Sequence, residues 1–113
     1  MYRYRAKLIR VVDGDTIVFA VDLGFKIWME RHVRLYQINT PELRGLNYKK
    51  AKEVKKFVED VLASAVAICI ETIKDKKGKY GRYLAIVEYI PADNSAPIYL
   101  NEQLKEMGYE KKY

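Results

Sequence analysis

Four short clusters carry residues able to do chemistry: Asp13-Gly14-Asp15-Thr16, Arg34, Thr40-Pro41-Glu42 and Lys79-Tyr80-Gly81-Arg82. Carboxylates are natural ligands of a hard divalent cation, and the planar fork of arginine takes two phosphate oxygens at once. An oxygen-ligated metal beside a phosphate clamp is the equipment of phosphodiester chemistry. Other chemistries lack their parts. Cys69, the lone cysteine, has no internal disulfide partner, and its neighbours Ala67, Ile68 and Ile70 read as the setting of a buried thiol. His32 is the one histidine, so zinc sites built from Cys and His and the Ser-His-Asp machinery fall away.

Net charge agrees with an anionic target. The chain of 113 residues carries a formal charge of +6, and Lys and Arg displace counterions from nucleic acid and steer encounter with it. The same charge also serves solubility or surface ion pairing, so it is suggestive and not specific. Half the residues are apolar and 32% are charged, a balance that supports one core and one domain over residues 1–113. No apolar stretch is long enough for a signal-peptide core or a membrane span. The expectation is therefore a cytoplasmic monomer with no membrane partner, or a secreted protein if a leader has been removed.

The elements that must position these clusters follow from hydrophobic periodicity. Residues 7–12 alternate, Asp13-Gly14 forms a tight reversal, and Ile17 to Val21 returns as a strand. After a turn at Leu23-Gly24-Phe25, Ile27, Met29, Val33 and Leu35 share one parity of a third strand, bulged near Arg31. From Lys49 to Ser64 the period becomes helical, with Ala51, Val54, Phe57, Val58, Val61 and Leu62 recurring three and four apart. Strands over Val66–Ile73 and Arg82–Ile90 follow, separated by a polar turn at Lys76-Lys77-Gly78. A short helix after Pro97 would carry Leu100, Leu104 and Met107 on one face and stop at Gly108, with a loose tail beyond. Three strands, a helix and two strands fit a five-stranded Greek-key barrel of the oligonucleotide-binding fold, closed by the helix.

Each cluster also has a plain structural reading. Asp-Gly is the commonest hairpin turn, and Thr40-Pro41-Glu42 can be a helix-turn cap. Arg34 and Arg82 can be solvated strand residues, residues 74–79 a solvated hairpin loop, and the lysines of the helix its wet face. Parity favours more for two of them. Asp15 shares the parity of Ile17 and Phe19, which puts its carboxylate inward at the barrel mouth, where it needs a partner. Arg82 likewise shares the parity of Leu84 and Ile86, at an entrance.

Taken in order, Val11-Val12-Asp13-Gly14-Asp15-Thr16, Val33-Arg34-Leu35-Tyr36, Asn39-Thr40-Pro41-Glu42, Lys79-Tyr80-Gly81-Arg82 with Leu84-Ala85, and Leu100-Asn101-Glu102 before Gly108 resemble the staphylococcal nuclease (thermonuclease) domain. The resemblance spans nearly the whole chain. It implies a calcium-dependent endonuclease that hydrolyses the bond between phosphorus and the 5′ oxygen of DNA or RNA, leaving 3′-phosphate ends. By motif, Asp15 would bind the metal, Thr40 would add its backbone carbonyl, and Arg34 and Arg82 would hold the phosphate. Glu42 would orient or deprotonate the attacking water, and Lys79 and Tyr80 would contact the bound nucleotide. One position departs from the pattern: Asn39 stands where the family has a second metal-binding aspartate. An amide oxygen still ligates calcium, but the site loses a full negative charge and binds the ion more weakly unless Asp13 or a water-held Glu42 compensates, so the expectation is a need for high calcium or tolerance of another hard divalent metal. The alternative function is a non-catalytic nucleic-acid-binding module on the same barrel.

Overall fold

The computed structural model describes residues 2–41, 48–77 and 83–111, with backbone alone for 74–77. These residues form β1 (Arg3–Asp13), β2 (Thr16–Asp22), β3 (Trp28–Leu35), α1 (Tyr48–Ala63), β4 (Ala67–Lys77), β5 (Tyr83–Ile90), β6 (Ile98–Tyr99) and α2 (Leu100–Glu106). The strands lie in the order β3-β2-β1-β4-β5-β6, every neighbouring pair antiparallel. A further parallel pairing of β3 with β5 joins the two ends, so β1 to β5 close into a mixed barrel. A closed five-stranded barrel with two helices is compatible with the expected fold class. The two-residue β6, hanging on the outside of β5, was not foreseen.

Curvature comes from β1. Its register slips between Leu8 and Arg10 and again between Val11 and Asp13, so Ile9 and Val12 are extra residues without partners on β2. A bulge bends a strand and increases its twist, which lets β1 pair with β2 along most of its length and with β4 over Arg3 to Ala6. Simple alternation therefore fails here: Ala6 and Val11 are buried, whereas Ile9 and Val12 are exposed. The bulge expected near Arg31 is absent, because β2 and β3 pair without interruption from Thr16↔Arg34 to Asp22↔Trp28.

Inside the barrel sit Ile17, Phe19, Val33, Leu35, Ile70, Ala85 and Val87. Helix α1 presses Ala51, Val54, Val58 and Leu62 inward, as its period requires, with Phe57 and Val61 packed at the margin. Its bounds are one residue earlier at each end than the expected 49–64. Helix α2 buries Leu100 and Leu104 completely, but Met107 is a solvent-exposed cap residue and not part of the apolar face. Gly108 takes φ +96°, and the N–H groups of Gly108 and Tyr109 donate to the carbonyls of Lys105 and Leu104 at 3.0 and 2.9 Å. This left-handed cap turns the chain back on the barrel. The tail is correspondingly not loose as far as it is described. Ile38 bridges Glu110, Asn39 N–H donates to Tyr109 O at 2.9 Å, and Lys111 N–H donates to Gln37 O at 2.8 Å. Among the described residues no helix is long and apolar enough to cross a membrane.

Closure of the barrel rests on one buried side chain. β3 leaves β5 after the Leu35↔Ala85 pair and a last hydrogen bond from Tyr36 N–H to Ala85 O at 2.9 Å, so Val87 N–H has no residue of β3 opposite it. Asn101, 3% exposed, fills that gap: its Oδ1 accepts from Val87 N–H at 2.9 Å, and its Nδ2 donates to Tyr36 O at 3.0 Å and Ala85 O at 3.2 Å. The amide does the work of a missing strand residue, since each buried backbone group left unpaired costs about 1–3 kcal/mol. Replacing Asn101 with Ala is expected to lower unfolding free energy by about 1–3 kcal/mol in a urea titration, chiefly through the orphaned Val87 N–H, since Ala85 O keeps its hydrogen bond from Tyr36 N–H. A loss below about 1 kcal/mol, no more than an ordinary single hydrogen bond, would show that the seam holds without it.

Candidate functional site

Asp15 occupies the turn between β1 and β2. The turn residues are Gly14 and Asp15, flanked by the Asp13↔Thr16 pair, so the reversal is one residue later than the expected Asp13-Gly14. Gly14 is not there for a left-handed backbone, because its φ is not positive. It is there for space. A Cβ on Gly14 would stand 2.8 Å from Val54 Cγ1, 3.0 Å from Thr40 Oγ1 and 3.1 Å from Thr40 Cγ2. The β1–β2 turn, the chain leaving β3 and the first half of α1 thus meet with no room for a methyl group.

That close approach assembles the site. The Asp15 carboxylate is buried, with 7% exposure, and its Oδ1 accepts the Thr16 hydroxyl at 3.1 Å while its Oδ2 accepts the Thr40 N–H at 3.2 Å. Arg34 Nη2 stands 3.8 Å from Oδ2, and the backbone carbonyl of Asp15 accepts Leu35 N–H at 2.9 Å. Cross-strand pairing of Thr16 with Arg34 sets this arrangement. A buried carboxylate requires such compensation. Arg34 supplies charge at ion-pair distance without a hydrogen bond to the carboxylate, and its half-buried fork keeps donors for another anion. Arg34 also borders a small cleft of about 110 Å³ with Tyr36, Gln37, Leu84 and Lys111.

Among the sequence-predicted residues, Asp15, Arg34 and Thr40 come together, although 25 positions separate Asp15 from Thr40. Asn39 lies next to them in the chain but is exposed, its N–H held by Tyr109 and its side chain making no hydrogen bond among the described residues. Glu42, Lys79, Tyr80 and Arg82 lie outside the described residues. Tyr83 and Leu84, the described residues that follow Arg82 in the chain, pair with Val33 and Arg34.

Sequence reasoning missed the supporting role of the tail. Tyr109, Glu110 and Lys111 hold residues 37–39, the segment that delivers Thr40 to Asp15. No local period could have shown it, because a three-residue pairing leaves no repeat. Lys105 Nζ adds a 2.9 Å hydrogen bond to Gln37 Oε1, and Gln37 itself takes φ +61°. A non-glycine residue in that region is held there by its surroundings.

As donors for a hard cation the residues fit. Each oxygen of Asp15 accepts one hydrogen bond and keeps lone pairs, and Thr40 Oγ1 is a buried oxygen with no hydrogen-bond partner among the described residues. The charge is low for calcium. No cluster of three or more His, Cys, Asp or Glu side chains forms among the described residues, and the expected set combines one carboxylate with an amide and a carbonyl.

The unpartnered Thr40 hydroxyl makes a test of design. Thr40→Val removes a buried group that satisfies nothing within the fold, so thermal unfolding in chelator is expected at an unchanged or higher temperature. Gly14→Ala, by contrast, is expected to cost about 1–3 kcal/mol, through the forced separation of Thr40 and Val54.

No protein-family model matches the chain. It is similar to the uncharacterized protein MJ1439 of Methanocaldococcus jannaschii, with 33% identity over 130 aligned residues. That alignment takes in 97% of this chain and 59% of the archaeal protein, so the chain spans a little over half the length of the relative it matches.

Proposed function

We propose that this chain is a metal-dependent endonuclease of the staphylococcal nuclease type, hydrolysing phosphodiester bonds of DNA or RNA on a Greek-key barrel of the oligonucleotide-binding fold. The observation that carries this reading is the meeting of Asp15, Arg34 and Thr40, contributed by three separate segments, around one buried carboxylate. A structural carboxylate needs compensation but does not need an arginine with donors to spare or a buried hydroxyl with none of its hydrogen bonds made among the described residues.

Asp15, Asn39 and the Thr40 carbonyl would hold calcium, which when bound polarises a phosphoryl oxygen and makes a coordinated water more acidic. The protein's own groups do the rest. Arg34 and Arg82 donate to the non-bridging oxygens, where charge gathers as the reaction proceeds. Glu42 takes a proton from the attacking water, whose oxygen bonds to phosphorus as the bond to the 5′ oxygen breaks. A proton returned to that leaving oxygen gives a 5′-hydroxyl and leaves the 3′-phosphate. Lys79 and Tyr80 contact the nucleotide, the aromatic ring offering a stacking face.

The second reading, a nucleic-acid-binding module without catalysis, draws on Asn39, which withholds a charge that calcium needs. Cleavage assays on single-stranded and duplex substrates separate the two. Calcium-stimulated, chelator-sensitive cleavage is expected, reduced about a hundredfold or more by Glu42→Gln, Arg34→Ala or Arg82→Ala, the size of effect seen when one transition-state donor is removed. Binding without cleavage across a wide range of calcium concentrations supports the module instead. Restoring the charge with Asn39→Asp is expected to lower the calcium concentration for half-maximal cleavage about tenfold, an effect of ligand charge count.

A further inference from the structure

Far from the site, the β2–β3 hairpin leaves the barrel and carries its apolar face with it. Every residue from Leu23 to His32 is exposed. Leu23, Ile27 and Met29 continue the inward parity of Val21 and Val33 past the point where anything covers it, at 42, 53 and 38% exposure. Trp28 is 45% exposed on the other parity, and Phe25 at the apex is 97% exposed. The Thr16↔Arg34 to Asp22↔Trp28 ladder puts Trp28 about 20 Å from Arg34, at roughly 3.3 Å per residue, and the apex lies beyond it. Five large apolar side chains exposed on one projecting tip, with Leu23, Ile27 and Met29 on one face, Trp28 on the other and Phe25 at the apex, are a concentration of the kind that marks interaction sites.

The backbone of the tip is hydrogen-bonded within the turn. Gly24 N–H donates to Asp22 Oδ1 at 2.8 Å, Leu23 N–H to Ile27 O at 2.9 Å and Ile27 N–H to Gly24 O at 2.9 Å. Phe25 and Lys26 take φ +52° and +61°, a conformation that side chains adopt at a cost, and it presents the phenyl ring to solvent where burial returns nothing. Around the apolar group the charge is basic. Lys7 Nζ lies 4.8 Å over the Trp28 ring, Lys26 sits in the loop, and neither has an acidic partner among the described residues. Of the nearby acids, Asp22 accepts from Gly24 N–H and keeps its charge, and Glu30 lies 3.8 Å from Arg10, so the four cations Lys7, Arg10, Lys26 and Arg31 outnumber the two acids.

We propose that this tip docks on an anionic lipid surface. Phe25, Leu23 and Ile27 enter the boundary between headgroups and acyl chains, Trp28 lies at headgroup level, and Lys7 and Lys26 face lipid phosphates. The shape and chemistry favour this occupant over the other polyanion. Leu, Ile and Met offer nothing to a phosphate, and a convex tip enters a deformable layer without requiring a matching cavity. The expectation of no membrane partner rests on the lack of a spanning segment, and docking by a tip does not need one. Neither Asp15 nor Arg34 takes part, so the inference stands apart from the phosphodiester reading.

Trp28 is the only tryptophan, so its emission reports on the tip directly. With the full chain, vesicles of phosphatidylcholine containing phosphatidylglycerol are expected to shift that emission to shorter wavelength and to co-sediment the protein, more weakly as salt rises. Pure phosphatidylcholine vesicles are expected to do so far less. Phe25→Ser, at a position that packs on nothing, is expected to keep the thermal transition and weaken partitioning about tenfold or more. Lys26→Glu is expected to weaken it only for the anionic vesicles. Three results would overturn the inference: no vesicle binding, a Trp28 shift produced by oligonucleotide and not by lipid, or concentration-dependent self-association that Phe25→Ser removes.

Discussion

The parallel seam between β3 and β5 is the constraint on which the rest of the molecule depends. Antiparallel hairpins need only short turns, but the pairing of Val33, Leu35 and their neighbour Arg34 with Tyr83, Ala85 and Leu84 joins segments some fifty residues apart and must be secured by something else. Asn101 secures it, by carrying on the ladder where β3 departs, and α2 exists in part to deliver that amide between Leu100 and Leu104. Because Arg34 is the middle residue of the seam, the interaction that closes the barrel also fixes the orientation of the arginine at its rim.

At that rim an ionisable pair, Arg34 and Asp15, stands largely out of water. Bringing a carboxylate and a guanidinium out of water is expensive, and a separation of 3.8 Å without a hydrogen bond recovers little of it. The surroundings nevertheless commit backbone and hydroxyl donors to Asp15 and exclude a methyl group at Gly14 so that Thr40 can reach it. Local rules are broken in this way mostly at sites that act on something else. The C-terminal tail belongs to the same device, since its pairing with residues 37–39 holds the segment that ends at Thr40.

Legibility of the fold followed contact range. α1 was readable almost to the residue, because Ala51, Val54, Val58 and Leu62 repeat the helical period within one segment. β2 and β3 were placed from composition and parity, although β2 buries Ile17, Val18 and Phe19 in succession and the bulge expected near Arg31 is absent. β1 was not readable in this way, because two bulges shift the parity at Ile9 and Val12, and a bulge leaves no composition of its own. The tail was misjudged because polar residues at a chain end look the same whether or not three of them pair with a loop. At the site, residue types named Asp15, Arg34 and Thr40 as candidates and the structure brings them near one another, while the reason for Gly14 was hidden, since steric contact with Val54 and Thr40 comes from elements far away in the chain.

Residue order by itself determined the kinds of element, the sign of the charge and the set of groups able to bind a metal or a phosphate, because periodicity and functional-group chemistry are local properties. Tertiary structure decided which of those groups meet. It brought Asp15, Arg34 and Thr40 to one rim through strand pairing and close packing, left Asn39 exposed, and carried the apolar parity of β2 and β3 beyond the barrel into solvent at Leu23, Ile27 and Met29. A pattern along a strand states which face a side chain takes. Whether another part of the chain covers that face depends on contacts distant in sequence, and those are set only when the barrel closes.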